Sequence, residues 1–267
     1  MAESGRPVAL ITGASGGIGL ELARLCAKGG HDLILVARNQ PKLEEIAKYL
    51  SGMYQTRVEL IAADLADAET PAAIVDAAAG RGMVVDVLVN NAGFGDWGLF
   101  GRADLERQLT MIQVNVTALT HLTRLLLPGM ITRRKGRILN VASTAAFAPG
   151  PLMAVYYATK AYVLSFSEAI GNEVSGTGIT VTALCPGPTR TAFAETAGLV
   201  GSNLFNGPNV MGVESVAKAG YRGMMRGRAV VIPGIANKLI VQSLRIAPRW
   251  AVRMVARWFQ EGRRREE

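Results

Sequence analysis

The sequence is poor in the residues that most often carry metal and disulfide chemistry. It has two cysteines, Cys26 and Cys185, each inside an apolar run. Two isolated thiols make neither a disulfide framework nor a metal cluster, and they suit a reducing compartment. The only histidines, His31 and His121, lack ligand-spaced partners. That argues against a His-based zinc site and against a Ser-His-Asp triad, so no metal is expected. No apolar run reaches the roughly 18 residues of a membrane span, and Met1 to Arg6 show no signal-peptide core. A cytoplasmic protein is the expectation. Charge of one sign is also missing from most of the chain. Residues 222–267 hold eleven Lys/Arg and three Glu, a net +8, which leaves 18 of each sign in residues 1–221. Basic character confined to a tail is no general signal for nucleic acid, and no nucleic-acid partner is expected.

What is present is a repeated strand-helix pattern. At 267 residues, 49% of them hydrophobic, the chain can bury one large core. Pro7–Thr12 is a short apolar run of strand character. It leads into Gly13-Ala14-Ser15-Gly16-Gly17-Ile18-Gly19, then a helical pattern ending at Gly29-Gly30, then a second strand over Leu33–Ala37. Glycines between a strand and a helix allow positive φ and close backbone approach. The helix start offers unpaired N–H groups to a phosphate. Further strands are predicted at Val58–Ala62, Asp86–Val89, Arg137–Ala142, Ile179–Leu184 and Ala229–Ile232. Helices are predicted at Pro41–Tyr49, Pro71–Ala79, Asp104–Leu127 and Met153–Val174. The alternation predicts one α/β domain, a doubly wound, mostly parallel sheet of about seven strands with helices on both faces.

Ligands collect at the carboxyl ends of such strands. There the sequence places Asp64-Leu65, Asn90-Asn91-Ala92-Gly93, Ser143 and Pro186-Gly187-Pro188-Thr189-Arg190-Thr191. The second strand ends in Ala37-Arg38-Asn39, with no acid between Leu33 and Leu43 to meet a ribose 2′-hydroxyl. Arg38 there suits a 2′-phosphate, which favours NADP(H) over NAD. One predicted helix carries Tyr156 and Lys160, four apart and therefore on one face. A cation beside a phenol lowers its pKa from about 10 and makes it a candidate general acid.

Taken together, Thr12-Gly13-x-x-x-Gly17-x-Gly19, Asp64, Asn90-Asn91-Ala92-Gly93, Asn115, Ser143, Tyr156-x-x-x-Lys160 and Pro186-Gly187 resemble the short-chain dehydrogenase/reductase family over about residues 7–191. The resemblance implies that Tyr156 exchanges the proton and that Lys160 holds the nicotinamide ribose and depresses the phenol pKa. Ser143 would bond the substrate oxygen, and Asn115 would hold a proton-relaying water. Gly13, Ser15, Gly16, Gly17, Ile18, Gly19, Arg38, Asp64, Leu65, Asn91, Ala92, Gly93, Pro186, Gly187, Thr189 and Thr191 would line the cofactor. The implied activity is hydride transfer between NADP(H) and a ketone or secondary alcohol. A cofactor-sensing binding protein on the same fold is the alternative. Relatives often form dimers or tetramers.

Past Thr191 the resemblance weakens. Residues 1–234 are expected to form the catalytic domain, with a substrate lid at about 190–215. Residues 235–267 are expected to form a basic helical extension. Phe94, Trp97, Leu99, Phe147, Leu152 and Met153 are candidate pocket residues for a hydrophobic substrate. In a last helix beginning at Pro248, Ala251, Met254, Val255 and Trp258 form an apolar stripe beside Arg249, Arg253 and Arg257; Arg263 to Arg265 follow. Such a helix docks on protein, or lies on an anionic membrane surface.

Overall fold

The computed structural model of the chain describes residues 5–205 and 210–261. Seven strands, β1 (Val8–Thr12), β2 (Asp32–Ala37), β3 (Val58–Ala62), β4 (Val85–Asn90), β5 (Gly136–Val141), β6 (Ile179–Leu184) and β7 (Val230–Val231), form one sheet in the order β3-β2-β1-β4-β5-β6-β7. Every pairing is parallel. The helices are α1 (Gly17–Lys28), α2 (Gln40–Tyr54), α3 (Thr70–Gly80), α4 (Leu105–Ile112), α5 (Ala118–Arg133), α6 (Ala154–Glu173), α7 (Phe193–Thr196), α8 (Val213–Met225), α9 (Ile235–Ser243) and α10 (Arg249–Gln260).

The strands are mostly apolar, the central ones buried on both faces of the sheet. Ala9 and Ile11 of β1 join one buried cluster with Leu22 of α1, Leu43 of α2 and Val216 of α8. Val8 and Leu10, pointing the other way, join Ile74 of α3, Leu122 of α5 and Ile170 of α6. This is the doubly wound α/β domain that the alternation predicts. The strand order reverses between β1 and β4, and that opens a crevice at their carboxyl ends.

Several elements differ from the sequence reading. The single helix expected over Asp104–Leu127 is α4 and α5 joined by a π-helical turn, Gln113–Thr117, and it runs on to Arg133. A π turn inserts a residue and re-aims the side chains it carries, and here it carries Asn115. α7 and α8 have no counterpart in the reading, while α9 falls within the expected helical extension. The pattern of α8 is masked by small residues: a Cβ on Gly220 would lie 2.6 Å from Leu184 Cδ2, so the helix needs glycine to approach the sheet. β7 spans two residues rather than four, and α2 is longer at both ends than expected. Of the expected lid, residues 206–209 lie outside the described residues, as do Arg263 to Arg265.

Candidate active site

β1 delivers Thr12 and Gly13 to the crevice, and β4 delivers Asn90 and Asn91 beside them. Thr12 Oγ1 donates to Val89 O and accepts from the backbone N–H of Asn91 and Ala92, both at 3.0 Å. The Asn91 amide donates to Thr12 O at 2.9 Å and to Gly13 O at 3.1 Å. The two strand ends are thereby laced together under the glycine turn. Gly13 has φ +64°, and a Cβ there would sit 2.7 Å from the Asn91 amide nitrogen; one on Gly19 would collide with Gly13 O. α1 begins at Gly16–Gly17 with no side-chain cap and no acid in its first turn. Its first N–H groups are therefore free to meet an anion.

A cavity of about 440 Å³ opens beside this turn. It is lined by Gly13, Ser15 to Ile18, Asn91 to Gly93, Ser143, Tyr156, Lys160, Pro186, Gly187, Thr189 and Thr191. Most of the site residues expected from the sequence are thus brought to one wall. Arg38, Asp64, Leu65, Gly19 and Asn115 do not line it. Arg38 and Asp64 pair at 3.7 Å at the ends of β2 and β3, both well exposed. Leu65 is buried in the core.

β5 presents Ser143, whose Oγ accepts from Ala145 N at 3.1 Å. α6 presents Tyr156 and Lys160 from one face, both nearly buried. Ser143 Oγ also donates to Pro186 O at 3.4 Å. Burial pushes the Tyr156 phenol up, and the neighbouring Ser143 hydroxyl, which acts to lower it, does not offset the burial. The Lys160 ammonium donates to Val141 O at 2.9 Å and lies 5.8 Å from the Tyr156 ring centre. Burial pushes Lys160 down to about 8. This corrects the expectation of a phenol made acidic by its neighbouring lysine. Desolvation disfavours both charges, and the lysine spends its hydrogen bond on a backbone carbonyl.

Asn115 sits behind Gly93. Its side chain accepts from Phe94 N at 3.1 Å and donates to Phe94 O at 3.0 Å and Thr159 Oγ1 at 3.1 Å. A Cβ on Gly93 would lie 2.8 Å from Asn115 Oδ1. The side chain thus clamps the loop after β4.

The outer wall is formed by Phe94 and Met153 of the candidate pocket residues and by Phe193, Leu204 and Phe205 of the expected lid, together with Tyr157 and Gln260, which the sequence reading did not place there. Of the other candidate pocket residues, Leu99 is half exposed, Phe147 lines a separate groove, and Leu152 lines neither. Trp97 acts indirectly, donating from Nε1 to Gln260 O at 3.0 Å. Gln260 is fully buried and donates to the Tyr157 hydroxyl. Leu204 N reaches Phe259 O at 3.1 Å, and the Asn203 amide reaches Glu261 O at 2.7 Å. The end of α10 therefore roofs the cavity. α9 contributes as well: its Asn237 amide presses on Gly187, where a Cβ would lie 2.7 Å from Asn237 Cγ. No local pattern signals these contacts, which join residues far apart in the chain.

Residues 7–199 match the family described as short chain dehydrogenase. A protein of Streptomyces virginiae assigned as the ketoacyl reductase of the monensin polyketide synthase is 42% identical over 201 residues, 73% of this chain and 75% of that protein. A short-chain dehydrogenase from Sphingobium yanoikuyae, solved in complex with NADPH, superposes with a TM-score of 0.79 at 36% identity, over 92% of this chain and 97% of that one. A bulky-bulky ketone specific alcohol dehydrogenase from Comamonas testosteroni superposes with a TM-score of 0.76 at 32% identity, covering 92% and 96%. With its glycine turn, its Ser-Tyr-Lys cluster and these likenesses, the chain belongs to the short-chain dehydrogenase family.

Proposed function

We propose that the protein is an NADP(H)-dependent carbonyl reductase acting on a bulky, hydrophobic ketone, and the corresponding alcohol dehydrogenase in reverse. The observation that carries this reading is the gathering of Ser143, Tyr156 and Lys160 on the cavity that also opens on the glycine turn. The chain's own geometry fits a dinucleotide. Gly13 and Gly19 leave no room for a side chain, α1 starts without a cap, and Arg38 stands exposed at the end of β2, its only ion pair among the described residues a 3.7 Å contact with the exposed Asp64. The NADPH-bound relative is consistent with this. Gly13 to Ile18 would hold the pyrophosphate and Arg38 the 2′-phosphate. Asn91 to Gly93 and Pro186 to Thr191 would flank the rest.

The bound cofactor supplies a hydride to the carbonyl carbon. The chain's task is then to receive the charge that develops on the oxygen. Ser143 donates a hydrogen bond to that oxygen. Tyr156, kept protonated by burial, gives it the proton. Lys160 holds the ribose and carries positive charge beside the phenolate that results. Asn115 acts as a positioning residue, since it fixes Phe94 and Gly93. Phe94, Met153, Phe193, Leu204 and Phe205 exclude water and accept the apolar body of the ketone. The ketoacyl and bulky-ketone relatives agree with that substrate class.

Tyr156→Phe tests the reading. It keeps the ring that packs on Phe193 at 5.3 Å and removes only the hydroxyl. Turnover of a bulky aryl ketone, followed at the nicotinamide absorbance, should fall by about 10²–10⁴-fold, with nucleotide affinity retained. Near-normal turnover would refute it.

A further inference from the structure

α10 is amphipathic, and it docks by an unexpected edge. It buries Val252 and Gln260 and half-buries Ala251 and Ala256 against the protein. The large apolar side chains face outward. Trp250 is 61% exposed, Met254 65%, Val255 54% and Trp258 59%. An unpartnered run of this size containing two tryptophans is unusual on a water-soluble surface. The preceding segment adds Ile235, Leu239 and Ile246, all more than 60% exposed.

Charge says what covers this face. Residues 222–267 hold the chain's whole excess of positive charge. Arg249, Arg253 and Arg257 are exposed and run along one edge of α10, between its buried stripe and its tryptophan face. Arg249 and Arg253 also line a groove with Phe147, Pro149 and Tyr157. Tryptophans and aliphatics flanked by arginines match the boundary of an anionic bilayer, where rings enter the headgroup region and guanidinium groups meet lipid phosphates.

We propose that α10 is a monotopic membrane-docking helix that binds the surface of an anionic lipid bilayer through Trp250, Met254, Val255 and Trp258, with Arg249 and Arg253 on lipid phosphates. Among the described residues no helix is long and apolar enough to cross a membrane, so the contact is peripheral. The same helix ends in Gln260 on the cavity wall. A bilayer seated on α10 therefore lies next to the cavity roof, and an apolar substrate dissolved in lipid has a short path inward. The docking itself stands apart from the proposed reaction; only the substrate path rests on it.

The full-length chain is centrifuged with vesicles of phosphatidylcholine, with and without phosphatidylglycerol. It should pellet with the anionic vesicles, weakly with the neutral ones, and be released by high salt. Trp250→Ser with Trp258→Ser should lower partitioning by about tenfold or more. Arg249→Glu with Arg253→Glu should abolish the preference for anionic lipid. Both variants should keep wild-type turnover of a water-soluble ketone, which shows that they fold. For the unsubstituted chain, brominated phosphatidylglycerol should quench tryptophan fluorescence. Three results would overturn the proposal: a wild-type chain that ignores both vesicles while still reducing ketones, absence of quenching, or a Trp variant that pellets normally. So would dissociation of a wild-type oligomer by the Trp substitutions in light scattering, since a second copy would then own the face.

Discussion

Lys160→Met is the most informative single change, because the structure sets its energetics as well as its chemistry. Burial lowers Lys160 from 10.5 to about 8. At about 1.4 kcal/mol per pH unit, a protonated Lys160 destabilises the fold by roughly 3 kcal/mol at neutral pH. Its hydrogen bond to Val141 O offsets part of this, and removing it orphans a carbonyl at a cost of about 1–3 kcal/mol. Met fills similar volume without the charge. The sign of the pH effect follows from proton counting. Below about pH 8 both folded and unfolded chains hold the proton, and the penalty is fully present. Between about 8 and 10.5 the folded lysine has released it while the unfolded one has not, so wild-type stability rises with pH. From about pH 7 to 9.5 that gain amounts to about 2 kcal/mol, whatever the carbonyl contributes. Urea unfolding of both proteins without nucleotide, at those two pH values, measures it. Relative to the Met variant, the wild type should gain about 2 kcal/mol on going alkaline. A difference that stays constant with pH would refute a buried, depressed lysine, and with it the account of why this amine stands ready to bind a ribose.

Three further changes probe the rest of the site. Arg38→Ala should raise the KM for NADPH by about tenfold or more and leave that for NADH unchanged, since loss of a charge-assisted phosphate contact is worth at least about 1.5 kcal/mol; equal effects on both cofactors in steady-state kinetics would remove Arg38 from the 2′-phosphate site. Gly19→Ala drives a methyl into Gly13 O and the Asn91 amide; overpacking at backbone that cannot yield should cost about 1–3 kcal/mol or more in denaturant unfolding, with loss of nucleotide binding, and an unperturbed variant would contradict the tight turn. Gln260→Ala frees Tyr157 and loosens the roof at the α10 end; KM for a bulky ketone should shift severalfold with kcat for a small one unchanged, and identical constants for both would show that α10 plays no part in substrate selection.

Much of the fold and many of the site positions were legible because the information is local. A buried parallel strand must be apolar, and a strand-to-helix turn that admits a phosphate must be glycine-rich. In a doubly wound sheet, whatever follows each strand's carboxyl end arrives at one rim. Thr12, Asn91, Ser143 and Gly187 thus reach one crevice from separate strands through topology alone. Tyr156 and Lys160 share a face by helical periodicity. α8 went unread because its pattern is hidden by close packing, with Gly220 against Leu184.

Sequence by itself determined that α10 would be amphipathic and basic, that Tyr156 and Lys160 would be neighbours, and that glycine would line the turn. The tertiary structure alone decided that α10 rests on Val252, Ala256 and Gln260 with its tryptophans turned outward, that Asn115 clamps Phe94, and that burial rather than the adjacent amine governs the phenol. The physical reason is the same in each case. Periodicity and spacing specify which side chains stand together on one element, whereas desolvation and partner choice depend on surfaces brought in from elsewhere in the chain, which no local pattern records.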